Sequence, residues 1–229
     1  MGARRRLSLP EEVLLLALRD RKGTVVTTYL EVALAGAMLA ELLLDGRIAV
    51  EPSKKAIVNV LDPKPTGDAV LDEGLERLIR SARRASLRTW VTRLYGIKEL
   101  RHKIARRLCE RGILRADEET ILLLFKRRVY PELDPIPEME ILDRLRAAIF
   151  TDAERIDART VVLIALAHPA GLLDEAFGRK EVRSRRKRIE RIVNGELFGA
   201  ATREVIEACQ AAVMVAVIVP SIAASAAHR

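Results

Sequence analysis

Histidines and clustered carboxylates are the residues of this 229-residue chain that could support catalysis, but their arrangement does not favour it. The three histidines lie far apart, and the sequence has no serine-nucleophile elbow, phosphate-binding loop or His-Glu-x-x-His motif. Asp68, Asp72 and Glu73 could share a metal ion or a proton, yet carboxylates in the first turn of a helix also stabilise its dipole. We therefore predict no catalytic residues, no metal and no cofactor, and we interpret His168 as structural.

Basic residues offer a second kind of chemistry, the binding of phosphate. Lys98 and Arg101 are three residues apart in a predicted helix from Arg88 to Arg111, so their side chains project about 60° apart on one side of it. Two converging cations of this kind can hold one phosphorylated headgroup. The pair is therefore a candidate headgroup-binding site.

A second basic segment, from Arg179 to Arg191, adds a more diffuse positive surface. We take Arg183, Arg186 and Lys187 as an auxiliary basic surface. A basic helix is attracted to acidic lipid by about 1 kcal/mol for each Lys or Arg held near the membrane. The alternative is a solvated helix face whose charges pair with neighbouring glutamates.

The overall charge indicates a polyanionic partner but does not select one. The net charge is +8 and the pI is about 9.9, which suits a phospholipid surface, nucleic acid or an acidic protein. The basic segments lack the aromatic residues on which single-stranded nucleic acid stacks. A duplex nucleic-acid binder that uses the basic helices and a hairpin remains the alternative to a lipid-binding protein.

The elements that position these residues are predicted to be mostly helical. Aromatic residues make up only 3% of the chain, so the core must consist of Leu, Ile, Val and Ala, which suits packed helices. We predict one mainly α, compact helical domain with small β-hairpins over residues 1–229, with flexible tails at 1–6 and 221–229. The principal predicted helices are Tyr29–Leu44, Arg88–Arg111, Met139–Phe150, Arg159–Ala167 and Glu204–Val219, and the hairpins are 47–60 and 120–130.

Both ends of the chain and its cysteines bear on the compartment. The basic N-terminus lacks an apolar segment before Pro10, so it does not resemble a secretory signal. Cys109 and Cys209 form no Cys-x-x-Cys motif, which suits a reducing, cytoplasmic environment. Residues 208–227 are uncharged and long enough to span a membrane, but their alanine content and Pro220 favour a core helix.

Several segments, taken in order, resemble the Golgi phosphoprotein 3 family. The opening 7–23, with Leu-Ser-Leu-Pro-Glu-Glu-Val-Leu-Leu-Leu, is similar to the start of the family, and 36–48 is similar to its next helix and turn. Residues 65–73 match a recurrent segment, and 155–177 gives the most specific match. The similarity covers nearly the whole chain.

The resemblance implies a peripheral membrane protein on the cytoplasmic face that binds phosphatidylinositol 4-phosphate. It also implies capture of the cytosolic tails of membrane enzymes. Lys98 and Arg101 fall where the family has a basic headgroup pair. The segment matched to Thr24–Ala35 lacks the family's tryptophan, Ala35 replaces its arginine, and Trp90 matches a structural tryptophan.

A projecting apolar hairpin in the family contributes to membrane contact or to self-association as a homo-oligomer. The segment from Ile121 to Tyr130 stands in its place here. The predicted contact residues are Leu123, Leu124, Phe125, Val129 and Tyr130.

Overall fold

The computed structural model describes residues 6–19, 24–25, 29–51, 53–121 and 125–196. This part of the chain contains ten helices and three two-stranded antiparallel sheets, which confirms the predicted mainly α fold with small hairpins. The helix predicted at 204–219, the tail at 221–229 and all of the N-terminal tail except Arg6 lie outside the described residues. None of the described helices is both long enough and apolar enough to cross a membrane.

The elements follow the chain in a simple order. The helices are α1 Leu9–Ala17, α2 Leu30–Leu44, α3 Ala69–Ile79, α4 Leu87–Tyr95, α5 Leu100–Glu110, α6 Ile136–Phe150, α7 Ala158–Ala167, α8 Leu172–Phe177, α9 Arg179–Ser184 and α10 Arg186–Val193. The paired strands are β1 Leu18–Arg19 with β2 Thr24–Val25, β3 Ile48–Val50 with β4 Val58–Val60, and β5 Asp117–Ile121 with β6 Phe125–Val129.

Three helices form the centre of the core. Helices α1, α2 and α7 pack against one another, and every residue of α1 and every residue of α7 except Ala158 is buried. Their sequences are apolar on nearly all faces, which suits a helix surrounded by others. Acidic side chains cap the starts of α1 and α3. Glu11 accepts the Ser8 N–H at 2.8 Å, and Asp68 accepts the N–H groups of Val70 and Leu71.

A buried ionic network joins the three central helices. The Arg159 guanidinium of α7, only 7% exposed, donates to Glu12 Oε1 at 3.2 Å and to Glu41 Oε1 at 3.0 Å. It also donates to the backbone carbonyl of Leu7, while Glu41 Oε2 accepts the Leu9 N–H at 2.6 Å. The start of α1 is therefore tied to α2 and α7 by charge-assisted hydrogen bonds.

The predicted single helix from Arg88 to Arg111 is wrong, because the chain forms two helices, α4 and α5. Helix α4 ends at Tyr95, and a turn follows in which Glu99 adopts a left-handed conformation with φ of 57°. That residue caps α5 at its N-terminus and changes the direction of the chain. The apolar side chains Ile97, Leu100 and Ile104 are nevertheless buried as predicted.

The basic segment near the end of the described chain also divides, into α9 and α10, with Arg185 between them. Two of its arginines serve the fold. Arg185 donates to the Phe150 carbonyl at 3.1 Å, and Arg188 donates to the Ala148 carbonyl at 2.8 Å. These carbonyls belong to the last turn of α6, where helix geometry leaves them without backbone partners.

Candidate anion-binding corner

The turn between α4 and α5 places Lys98 and Arg101 at the N-terminal end of α5. Lys98 lies in the turn and is exposed, immediately before the capping residue Glu99, and Arg101 is the second residue of the helix. The predicted 60° projection on one helix does not apply, since only Arg101 belongs to a regular helix. We call the segment from Lys98 to His102 the basic corner.

The first turn of α5 is basic. Helix N-termini carry a partial positive charge and favour acidic side chains, each by about 0.3–1 kcal/mol. The first turn of α5 has no acidic residue and instead carries Arg101, His102 and Lys103. Like the first turns of α4 and α7, it therefore offers no acidic side chain to the helix dipole, and its three basic groups favour the approach of an anion.

Two carboxylates lie at the basic corner, Glu99 within it and Glu31 on α2. Arg101 Nη1 lies 3.5 Å from Glu31 Oε1 in the first turn of α2. Glu99 Oε1 accepts from Arg128 Nη1 at 3.0 Å, and the charge of Arg128 lowers the pKa of Glu99. Lys98 forms no ion pair with another residue in the described ranges. A ligand phosphate would thus meet Lys98 directly and would compete with Glu31 for Arg101.

The hairpin of β5 and β6 packs beside the basic corner through Tyr130. The strands pair from Asp117 opposite Val129 to Ile121 opposite Phe125. Val129 and Tyr130 are only 7% and 4% exposed, so this structure places them in the protein interior rather than at a membrane-contact surface. Leu123 and Leu124 lie outside the described residues. Phe125 is the first residue of β6, but its side chain is outside the described part of the structure.

The residues of the predicted auxiliary basic surface lie on α9 and α10. Arg183, Arg186 and Lys187 are all exposed. Arg186 pairs with Glu190 at 2.8 Å within α10, an exposed contact worth little to stability. Arg183 and Lys187 remain available to an acidic surface in solvent.

A polar cavity of about 200 Å³ beneath the start of α1 also contains arginines, but these face carboxylates. Arg107 lies 3.0 Å from Asp68, and Arg111 donates to Glu11 at 2.7 Å. Because these cations already have buried anionic partners, the cavity is a weaker anion site than the basic corner.

Comparison with known proteins assigns the family. A model described as Golgi phosphoprotein 3 (GPP34) matches residues 9–209, which is most of the chain. The chain belongs to the Golgi phosphoprotein 3 family. It is also 26% identical to the vacuolar protein sorting-associated protein 74 of Schizosaccharomyces pombe, in an alignment covering 82% of this chain. The alignment spans 65% of that relative, so the chain accounts for about two thirds of its length.

In this member of the Golgi phosphoprotein 3 family, the structure places residues next to the basic corner that sequence analysis did not associate with it. Glu31, Arg128 and Tyr130 approach it from α2 and from the hairpin, and nothing in their local sequence indicates this. His102 could have been found, because it follows Arg101 directly in the chain.

Proposed function

We propose that this chain is a peripheral membrane adaptor that binds anionic lipid headgroups at the basic corner, with phosphatidylinositol 4-phosphate as the ligand that membership of the family suggests. It would act at the cytoplasmic face of a membrane and hold the cytosolic tails of membrane enzymes, as a monomer or a homo-oligomer. The observation that carries the proposal is the exposed Lys98 in the turn before Arg101, at a helix whose first turn is basic and contains no acidic residue.

The chemistry of the basic corner suits a phosphate monoester. Such a group carries a charge of about −1.5 to −2 at neutral pH and three acceptor oxygens. Lys98 can approach it as a flexible point charge, and Arg101 can donate two parallel hydrogen bonds. The matched family region includes both residues, and the name of the fission-yeast relative refers to protein sorting, which supports an adaptor role.

The auxiliary basic surface would add a weaker and less specific attraction. Arg183 and Lys187 together would contribute about 2 kcal/mol if both lay near an acidic membrane. Because this contribution depends on charge rather than on headgroup shape, it would be lost at high salt. The basic corner is therefore the element that we expect to discriminate between lipids.

Co-sedimentation with vesicles tests the proposal. The vesicles should be neutral, contain a generic anionic lipid, or contain phosphatidylinositol 4-phosphate at the same surface charge, with duplex DNA as competitor. Stronger binding to the phosphoinositide supports a headgroup site, and equal binding to both anionic vesicles would support attraction by charge alone. No binding to any vesicle, or complete displacement by DNA, would overturn the proposal and favour the nucleic-acid alternative.

Replacing Glu31 with glutamine should strengthen binding to phosphoinositide vesicles by about twofold to fivefold. The carboxylate of Glu31 competes with a ligand for Arg101, and an exposed ion pair of this kind is worth about 0.5–1 kcal/mol. Glu76→Gln is the matched control, because Glu76 pairs with the exposed Arg80 at 3.1 Å in α3. Equal strengthening by the two variants would indicate a general charge effect and contradict competition at Arg101.

A further inference from the structure

The imidazole of His102 lies between a cation and a hydroxyl group. Its Nδ1 is 2.8 Å from the Tyr130 hydroxyl oxygen, and its Nε2 is 3.4 Å from Arg101 Nη2. The ring is partly buried, and its plane is inclined by 45° to that of Tyr130. His102 is thus the one residue of the basic corner whose charge can change near neutral pH.

The partners of the ring determine where its proton resides. A guanidinium can donate hydrogen bonds but cannot accept them, so Nε2 must act as the acceptor from Arg101. The proton of the neutral ring is therefore on Nδ1, which donates to the Tyr130 hydroxyl oxygen. The hydrogen bond from Arg101 to Nε2 exists only while His102 is neutral, since a proton on Nε2 would direct an N–H toward a cation.

We infer that His102 is a third anion-binding side chain of the basic corner, and that it takes up one proton at Nε2 when a phosphate group binds beside Arg101. The inference rests on the proposed anion site and extends it to a residue that responds to pH. The proton comes from solvent, and no covalent bond changes. With the proton in place, Nε2–H becomes a donor to a phosphate oxygen that Arg101 also contacts.

The charges around the ring explain why the anion and the proton bind together. Burial, followed by the charges of Arg101 and Arg128, lowers the pKa of His102, while Glu99 opposes them and Arg106 adds to them. Glu31 lies farther out, against Arg101, and Tyr130 faces Nδ1 as a neutral hydroxyl. A phosphate at Arg101 would offset the cations and favour the charged ring, so anion binding and protonation strengthen each other.

Tyr130 acts as a positioning residue in this scheme. The Nδ1–H of His102 donates to Tyr130 in both protonation states, so the ring keeps its orientation and only Nε2 changes. Tyr130 directly follows β6, which means that the hairpin fixes the direction in which Nε2 points. Tyr130→Phe should therefore weaken the coupling between the proton and the anion.

The test is to follow His102 by NMR as pH is varied, with and without an anion. The chain has only three histidines, so His102→Gln assigns the resonance by removing it. The probes are sulfate, whose charge is constant over this range, and soluble dioctanoyl phosphatidylinositol 4-phosphate. We expect saturating anion to raise the pKa of His102 by about one unit, which equals a roughly tenfold tighter binding of sulfate at low pH than at high pH.

Variants separate this inference from the proposed function. His102→Gln should abolish the strengthening of sulfate binding at low pH, whereas His168→Gln, at the end of α7, should retain it. Wild-type binding to phosphoinositide vesicles without movement of the His102 resonance would overturn the inference and leave the proposed function standing. Absence of binding to vesicles and to both soluble anions would overturn the two together.

Discussion

Replacing Arg159 with methionine should lower the free energy of unfolding by about 3 kcal/mol, because it leaves two buried carboxylates with only Arg144 beside Glu12 and Arg6 beside Glu41 as cationic partners. Glu12 and Glu41 are 2% and 3% exposed. Burial raises the pKa of Glu41, although the hydrogen bond and the charge of Arg159 oppose this rise. Burial would lower the pKa of Arg159, but its hydrogen bonds and the charges of Glu12 and Glu41 outweigh this effect and raise the pKa. The guanidinium thus remains charged in the interior.

Urea unfolding can measure this loss through a natural probe. Trp90 is the one tryptophan of the chain and is 3% exposed, so its fluorescence should report the loss of the core. Arg159→Lys keeps the charge but not the forked geometry that reaches Glu12, Glu41 and the Leu7 carbonyl, and it should lie between the wild type and Arg159→Met. A loss below about 1 kcal/mol for Arg159→Met would show that the network contributes little.

Reversing the charges of Lys98 and Arg101 to glutamate should reduce binding to phosphatidylinositol 4-phosphate vesicles by more than about tenfold. Both cations would be replaced by groups that repel a phosphate, and the new carboxylate at 101 would also face Glu31. The apolar residues of α5 that face the core are unchanged. We therefore expect little change in the unfolding transition followed through Trp90.

The matched control is the double reversal Arg183→Glu with Lys187→Glu, which changes the net charge by the same amount. Both residues are exposed on α9 and α10. If binding depends on the basic corner, the control should lose only a few-fold in affinity, and mostly at low salt. Equal losses in the two double variants would mean that overall charge, rather than the corner, governs the interaction.

The sequence predicted most of the helices because their apolar periodicity is strong, but that periodicity does not show the break between α4 and α5. Leu94, Ile97, Leu100 and Ile104 recur at intervals of three and four and are all buried. This spacing continues through the turn as if the helix did. Gly96, at the C-cap of α4, is the local signal of the break, whereas the left-handed conformation of Glu99 has none, because it is uncommon for residues other than glycine.

The residues of the candidate site were predicted by type, and their surroundings were not. Lys98 and Arg101 were predicted from their charge and from a helical spacing that the turn does not keep, whereas Glu31 approaches from a helix about seventy residues earlier in the chain. Val129 and Tyr130 were assigned to membrane contact because their segment stands in the place of the family's projecting hairpin, although both are buried at its base. The buried role of Arg159 depends on Glu12 and Glu41, which are 147 and 118 residues away.

The buried network also constrains how the protein can fold while it is being made. Synthesis begins at the N-terminus, so the carboxylates of α1 and α2 leave the ribosome long before Arg159 does. Until then, Glu41 has only the exposed Arg6 as a cationic partner, and Glu12 has none before Arg144 emerges, so burying the two carboxylates would carry a large desolvation cost. We therefore expect the central helices to complete their packing only after α7 has emerged from the ribosome, which makes core formation a late event of biosynthesis.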